Sequence, residues 1–307
     1  MPTGEPTFPL ISRKRGIGIS GGTRTSSHRG SGYEIASSRL YRRGDSMRSI
    51  DWAASARLSS ARDQDEFVVR DTFAEESPRA VVFADRRPGM ALYPAELPWL
   101  HKPAAVMAAG RLIVASALAA RGLAGYLDLA DGRPHWIPPR NREDAVRIRE
   151  RDLRRAAFTA PSDNLRRGLH HLERARHDLP SGSFVFVLSD FLRCPPEPAW
   201  RGALSHGWDV VPVIVQDPRW EQSFPQAAGM ALPVHDQESG AALLVRLTRR
   251  EVAARGQANE RRLAELRRLF TSLDLDPVVL STEDPKPMLG AFLAWAERRR
   301  RRLRRAS

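Results

Sequence analysis

Cysteine is almost absent from this 307-residue chain, and Cys194 is its single example. An intrachain disulfide and a cysteine metal cluster are therefore excluded, and a reducing compartment is the simplest setting. Lysine is nearly as scarce, confined to Lys14, Lys102 and Lys286, so the formal charge of +13 is carried almost wholly by arginine. Those arginines are spread along the chain and mixed with Asp and Glu, which argues against reading the total charge as a nucleic-acid footprint, since patches rather than totals mark one. No long uninterrupted hydrophobic run exists. The nearest, Pro103–Ala120, has Arg111 at its centre and Lys102 and Arg121 at its flanks, and reads as a buried helix rather than a membrane span. The opening residues lack the charged-then-apolar order of a signal peptide. Together these readings place the protein in the cytoplasm.

Catalytic motifs are missing too. The glycines at 16–22 and 30–32 follow no strand and carry no Gly-Lys-Ser/Thr, so they do not form a phosphate loop. His170 and His171 are neighbours on a helix and face different ways. Cys194 has no histidine at a suggestive spacing and is expected to be inert. No enzyme chemistry is expected.

What is present is a 42% hydrophobic, 28% charged composition, long enough for one large domain with an appendage. Residues 1–32, rich in Gly, Ser, Thr and Arg, read as a flexible or surface-hugging arm. Residues 33–78 hold the densest mixture of charge and large apolar groups. There Tyr41 and Trp52 interleave with Arg39, Arg42, Arg43, Arg48 and Arg57, and with Asp45 and Asp51. Packed together, such charges need partners. The expectation is a fixed network in which Asp45 and Asp51 accept forked guanidinium bonds from Arg39, Arg48 and Arg57, Gly44 belongs to the same block, and Trp52 serves as the apolar anchor. A strand at 63–76 is expected to lead from this irregular or β extension into the core.

From 79 to 296 short apolar runs alternate with helical patterns. Ala80–Asp85, Gly182–Leu192 and Trp208–Asp217 read as buried parallel strands, with a helix at 102–121, a strand near 124–132, and helical spacing at 142–157. A helix N-cap falls at Ser162 or Asp163. A hairpin at 231–248 turns at Gly240; a charged helix at 249–272, the strand Pro277–Thr282 and a last helix complete the pattern. The fold class is α/β, a doubly wound and mainly parallel sheet with helices on both faces. Residues 297–307 form an arginine tail, either a solvated helix end or an anion-binding segment.

In such a sheet, functional groups collect beyond the carboxyl ends of the strands. Asp85 and Asp190 both stand there. If their strands are neighbours, the two carboxylates need a cation between them, or one must hold a proton. Mg2+ is the usual oxygen-bound solution.

The run Arg39-x-Tyr41-x-x-Gly44-Asp45-x-x-Arg48-x-Ile50-Asp51-Trp52, with Ala56 and Arg57, resembles the signature of the bacterial domain of unknown function 58 family. The later LSDFL segment (188–192) and the 231–248 hairpin are also similar to it. The resemblance spans about residues 30–296 and implies a von Willebrand factor type A-like fold. It also implies work beside a MoxR-type AAA+ ATPase, in chaperone-like assembly or activation of an unknown client protein, by a non-enzymatic interaction module. Type A domains hold a divalent ion through Asp-x-Ser-x-Ser, a Thr and a further Asp. Here Asp85 is retained and Asp190 matches the last acid, while Arg87 and Gly89 replace the serines and Asp163 lies near the threonine position. The resemblance therefore implies a degenerate metal-ion-dependent adhesion site without bound Mg2+. Arg87 either neutralises the carboxylates or points to solvent, and Arg86 with Arg87 is positioned to receive a partner's carboxylate. The rival reading is a nucleic-acid-associated protein using its basic arm and tail.

Overall fold

The computed structural model describes residues 5–13, 35–41, 47, 50–62, 64, 66–72, 77–91, 99–155, 157–235 and 242–306. The chain divides into two compact units, Met1–Arg13 with Pro78–Ser307, and Lys14–Ser77.

In the smaller unit, β1 (Ile35–Leu40) pairs antiparallel with β2 (Val68–Thr72), and α1 (Trp52–Arg62) lies between them in sequence. The helix departs from expectation, since this stretch reads as irregular or β. It starts at Asp51, whose Oδ1 accepts the Ala54 N–H at 3.0 Å, and Ser55 Oγ bridges its first turn to β2 by accepting from the Val68 N–H at 2.8 Å. The strand expected to feed the core instead belongs to this unit's own two-stranded sheet.

The larger unit is built on a six-stranded sheet. Its strands are β3 (Arg79–Ala84), β4 (Leu123–Asp128), β5 (His135–Ile137), β6 (Phe184–Ser189), β7 (Asp209–Val215) and β10 (Val278–Leu280), in the order β10-β7-β6-β3-β4-β5. All pairs are parallel except β4 with the short edge strand β5. Hairpin β8 (Ala231–His235) and β9 (Ala242–Arg246) stands apart as a two-stranded sheet, its turn outside the described residues.

Alternation along β3 sends Ala80, Val82 and Ala84 to one face and Val81 and Phe83 to the other. The first face is covered by α2 (Lys102–Ala119) through Val106, Ala109 and Ile113, and by α7 (Pro285–Ala306) through Met288, Phe292 and Trp295; α3 (Glu143–Arg147) adds Ala145. On the second face lie α4 (Asn164–Arg174), α5 (Glu197–Ser205) and α6 (Arg249–Ser272), contributing Leu165, Leu169, Trp200, Leu266 and Phe270. The larger unit is thus a doubly wound α/β fold, consistent with the type A-like arrangement expected. Lys102–Ala119 is long and apolar enough to cross a membrane, but its apolar side chains are spent on this core.

Two segments that read as solvated are packed instead. Within the supposed arm, Phe8 is buried, stacked on Phe292 with ring centroids 4.5 Å apart, and its N–H donates to Ser116 Oγ at 3.0 Å. In the supposed tail, Arg299 is only 1% exposed and its Nη1 donates to Asp209 Oδ2 at 2.7 Å and to the Ile11 carbonyl at 3.0 Å. Residues 1–4 and 14–32 of the arm lie outside the described residues.

Candidate functional site

Parallel pairing of β3 with β6 sets Ala84 against Leu188, so the next residues, Asp85 and Ser189, emerge side by side at the carboxyl end of the sheet. The Asp85 N–H closes the ladder by donating to the Leu188 carbonyl at 2.9 Å. Immediately beyond, Phe191 adopts a left-handed backbone with φ 51°, which turns the chain sharply after Asp190.

Arg87 lies between the two acids. Its Nη2 donates to Asp85 Oδ2 at 2.6 Å and to Asp190 Oδ1 at 2.7 Å, while its Nε reaches Asp85 Oδ2 at 2.9 Å. The Arg87 backbone N–H also donates to Asp85 Oδ1 at 3.0 Å, which fixes the loop that delivers the side chain. Burial opposes the charge on Arg87, but Asp85 and Asp190 outweigh it and raise its pKa further. Ser189 Oγ donates to Asp85 Oδ2 at 2.6 Å and Asn164 Nδ2 to Asp85 Oδ1 at 2.9 Å. Asp85 is thereby saturated by donors from three parts of the chain.

Asp190 is held from its other side by Lys102, at the first turn of α2. Lys102 Nζ donates to Asp190 Oδ2 at 3.0 Å and to Glu221 Oε1 at 2.5 Å. Burial alone would raise the Asp190 pKa, yet the charges of Lys102 and Arg87 bring it below the ordinary value. Lys102 is likewise opposed by burial but raised by Asp190 and Glu221. Glu221 goes the other way, raised chiefly by burial. Its Oε2 accepts the Asp217 N–H at 2.8 Å, and Gln216 Nε2 donates to the Asp190 carbonyl at 2.6 Å. The loop after β7 is thus tied into the same network.

A divalent ion bridging Asp85 and Asp190 would have to occupy the position of the Arg87 guanidinium, and the carboxylate oxygens facing that position already accept short charged hydrogen bonds. The residues present do not fit a metal. Gly89 sits buried in the short 3-10 turn Pro88–Met90 and brings no side-chain oxygen ligand. Asp163 stands at the N-terminus of α4: burial pulls its pKa up, but Arg166 and Arg167, each 2.6 Å away, hold the carboxyl below its usual range. It is the next residue, Asn164, that reaches Asp85. No three His, Cys, Asp or Glu among the described residues are grouped to hold a metal.

Arg86 requires a correction. It is 2% exposed and Arg87 4%, so neither is presented to a partner's carboxylate. Arg86 donates to Tyr126 Oη at 3.0 Å and to the carbonyls of Asp152, Leu153 and Arg155 at 3.1, 3.2 and 2.7 Å. In the smaller unit Trp52 is 59% exposed rather than an apolar anchor, making edge contacts with Phe67. Asp51 acts as a helix cap, and Arg57 donates along α1 to the Ala53 carbonyl at 3.1 Å. Tyr41 meets Phe67 edge-on, with ring centroids 6.5 Å apart. Gly44, Asp45, Arg48 and the Arg39 side chain lie outside the described residues.

Sequence reasoning misses Lys102, Asn164, Ser189 and Glu221. Ser189 and Asn164 adjoin the candidates Asp190 and Asp163. Lys102 carries a weaker signal, a rare lysine at the start of an apolar helix.

A family model described as a protein of unknown function, DUF58, matches residues 37–265. The crystal structure of the conserved hypothetical protein BatB from Bacteroides thetaiotaomicron shares 16% identity, covering 63% of this chain and 99% of that one with a TM-score of 0.33. An aerotolerance-related membrane protein from Bacteroides fragilis, bearing multiple mutations to serine, shares 12% identity over 64% of this chain and 99% of its own, with a TM-score of 0.32. Likeness at this level carries no functional argument. No curated protein matches the sequence.

Proposed function

This chain belongs to the DUF58 family of proteins of unknown function, and on that footing we propose that it is a non-enzymatic protein-interaction module whose α/β unit works without a metal ion. The reading rests on one observation: Arg87 Nη2 lies 2.6 Å from Asp85 and 2.7 Å from Asp190, so a guanidinium stands in for the cation of a type A-like site. A metal-bearing site of that kind recruits a partner carboxylate to complete the ion's coordination; here the positive charge is internal and already neutralised. Asp85, Arg87, Lys102 and Asp190 are all buried and mutually paired, which leaves none of them accessible as a nucleophile or general acid at the strand ends. The network therefore shapes the loops, and recognition falls to their surface.

The partner class comes from the family signature in residues 39–57: a MoxR-type AAA+ ATPase, with which the protein assembles or activates a client in the cytoplasm. Co-purification of a tagged chain with a MoxR-type ATPase from the same genome tests this, with the chain washed in EDTA beforehand and the ATPase kept nucleotide-free. Capture should be as strong after chelation as before. Capture that collapses after chelation and returns with Mg2+ contradicts the metal-free reading, and failure to capture the ATPase under either condition contradicts the partner.

A further inference from the structure

The last turns of α7 hold Arg298, Arg299, Arg300, Arg301, Arg302, Arg304 and Arg305. Arg299 alone is turned inward, where it lies over Trp295 at 4.3 Å and pairs with Asp209. That buried anchor fixes the helix end to the sheet and sets the direction of every other arginine. The remaining six are exposed. At about 100° per residue they sweep an arc of about 200°, with Arg299 and Leu303 on the opposite side.

Internal carboxylates answer only part of this charge. Arg302 pairs with Asp276 at 2.7 Å, and Arg300 and Arg301 share Glu297 at 3.5 and 3.0 Å. Arg298 donates to the Pro277 carbonyl at 3.3 Å, and Arg298, Arg304 and Arg305 have no carboxylate partner among the described residues. One or two cations suffice to complement a helix C-terminus. Six, stacked at spacings of three and four residues, repel one another along the helix face. An external polyanion would relieve that repulsion.

We propose that the exposed arc of α7 from Arg298 to Arg305 binds the phosphate backbone of duplex DNA without reading sequence. The surface distinguishes this occupant from others. Leu303 is the only large apolar side chain in the segment and faces away from the arc, whereas a helix lying in a membrane interface needs a broad apolar face. Aromatic side chains, the stacking platform for single strands, are absent from 297–305. A helix about 10–12 Å across enters the roughly 12 Å major groove of B-form DNA, where an arc of about 200° meets phosphates on both walls. The deep, narrow major groove of an RNA duplex does not admit it.

Fluorescence anisotropy of a labelled 24-base-pair DNA duplex with the full chain, over a salt series, tests the proposal. Wild-type affinity should fall steeply with salt, because each neutralised phosphate contributes a slope of about −0.9 in log K against log salt. Arg301→Gln, Arg304→Gln and Arg305→Gln combined should weaken binding at low salt at least about tenfold and make the slope shallower by about 2–3. Arg249→Gln with Arg250→Gln, at the start of α6, should change neither. All five positions are exposed, and circular dichroism checks that each variant keeps its fold. Duplex binding that is absent, or that the triple variant leaves intact, overturns the proposal. So does binding to phosphatidylglycerol vesicles in place of DNA.

Discussion

Single residues decide the chemistry of the strand ends. Asp85 and Asp190 are legible in the sequence because each closes a short apolar run that reads as a buried strand, and Arg87 follows Asp85 by two residues. Lys102 is only weakly legible and Glu221 not at all: they meet across the start of α2 and the loop after β7, 119 residues apart in the chain, and only the packed sheet brings them together. Their titration gives a prediction. The Asp190 pKa lies below its ordinary value of 3.8. Its ionisation therefore stabilises the fold above that value, and the stabilisation is lost as pH falls through the lower, folded-state pKa. Lys102 is its largest favourable charge, while burial pushes the other way. In Lys102→Met the Asp190 pKa should rise, and the acid loss of stability should begin at higher pH than in the wild type. Urea midpoints across the acid range measure this, and superimposable acid limbs would contradict the assignment of Lys102 as the counter-charge.

At the scale of elements, the buried strands announce themselves and the smaller pieces do not. Runs such as Val81-Val82-Phe83 and Val185-Phe186-Val187 are apolar on both faces, as strands between two helical layers must be. Helix α1 is hidden because its exposed side chains include Trp52 and Arg57, so its pattern shows no apolar stripe. Its beginning depends on Asp51, whose carboxylate caps the first turn through the Ala54 N–H. Asp51→Ala should accordingly cost at least about 1 kcal/mol, the usual value of an N-cap, in denaturant unfolding of the full chain. An unchanged midpoint would contradict the cap. The seat of α4 on β3 gives a second expectation. A Cβ built on Gly168 would come within 2.0 Å of the Phe83 ring, which is itself enclosed in the core. Gly168→Ala should destabilise by about 1–3 kcal/mol through overpacking, visible as a lower denaturant midpoint; an unchanged midpoint would mean that α4 is free to lift.

For the molecule as a whole, composition reveals the fold class and misjudges both ends of the chain. Composition groups residues 5–13 with the Gly-, Ser- and Arg-rich stretch at 14–32, yet Phe8 fills a core position against Phe292 and Trp295. The arginine tail conceals Arg299, a structural residue that grips Asp209 from within. Such roles depend on tertiary neighbours, which local composition does not encode. The larger unit emerges as a type A-like sheet in which the cation at the strand ends is supplied by the chain. Calorimetric titration of the purified protein with Mg2+ and Mn2+ tests that claim most directly, with Arg87→Ser as the companion variant. The wild type should show no saturable heat into the millimolar range, and Arg87→Ser, which removes the guanidinium from between Asp85 and Asp190 and adds a hydroxyl, should gain ion binding. Saturable binding by the wild type that disappears in Asp85→Ala would contradict the account.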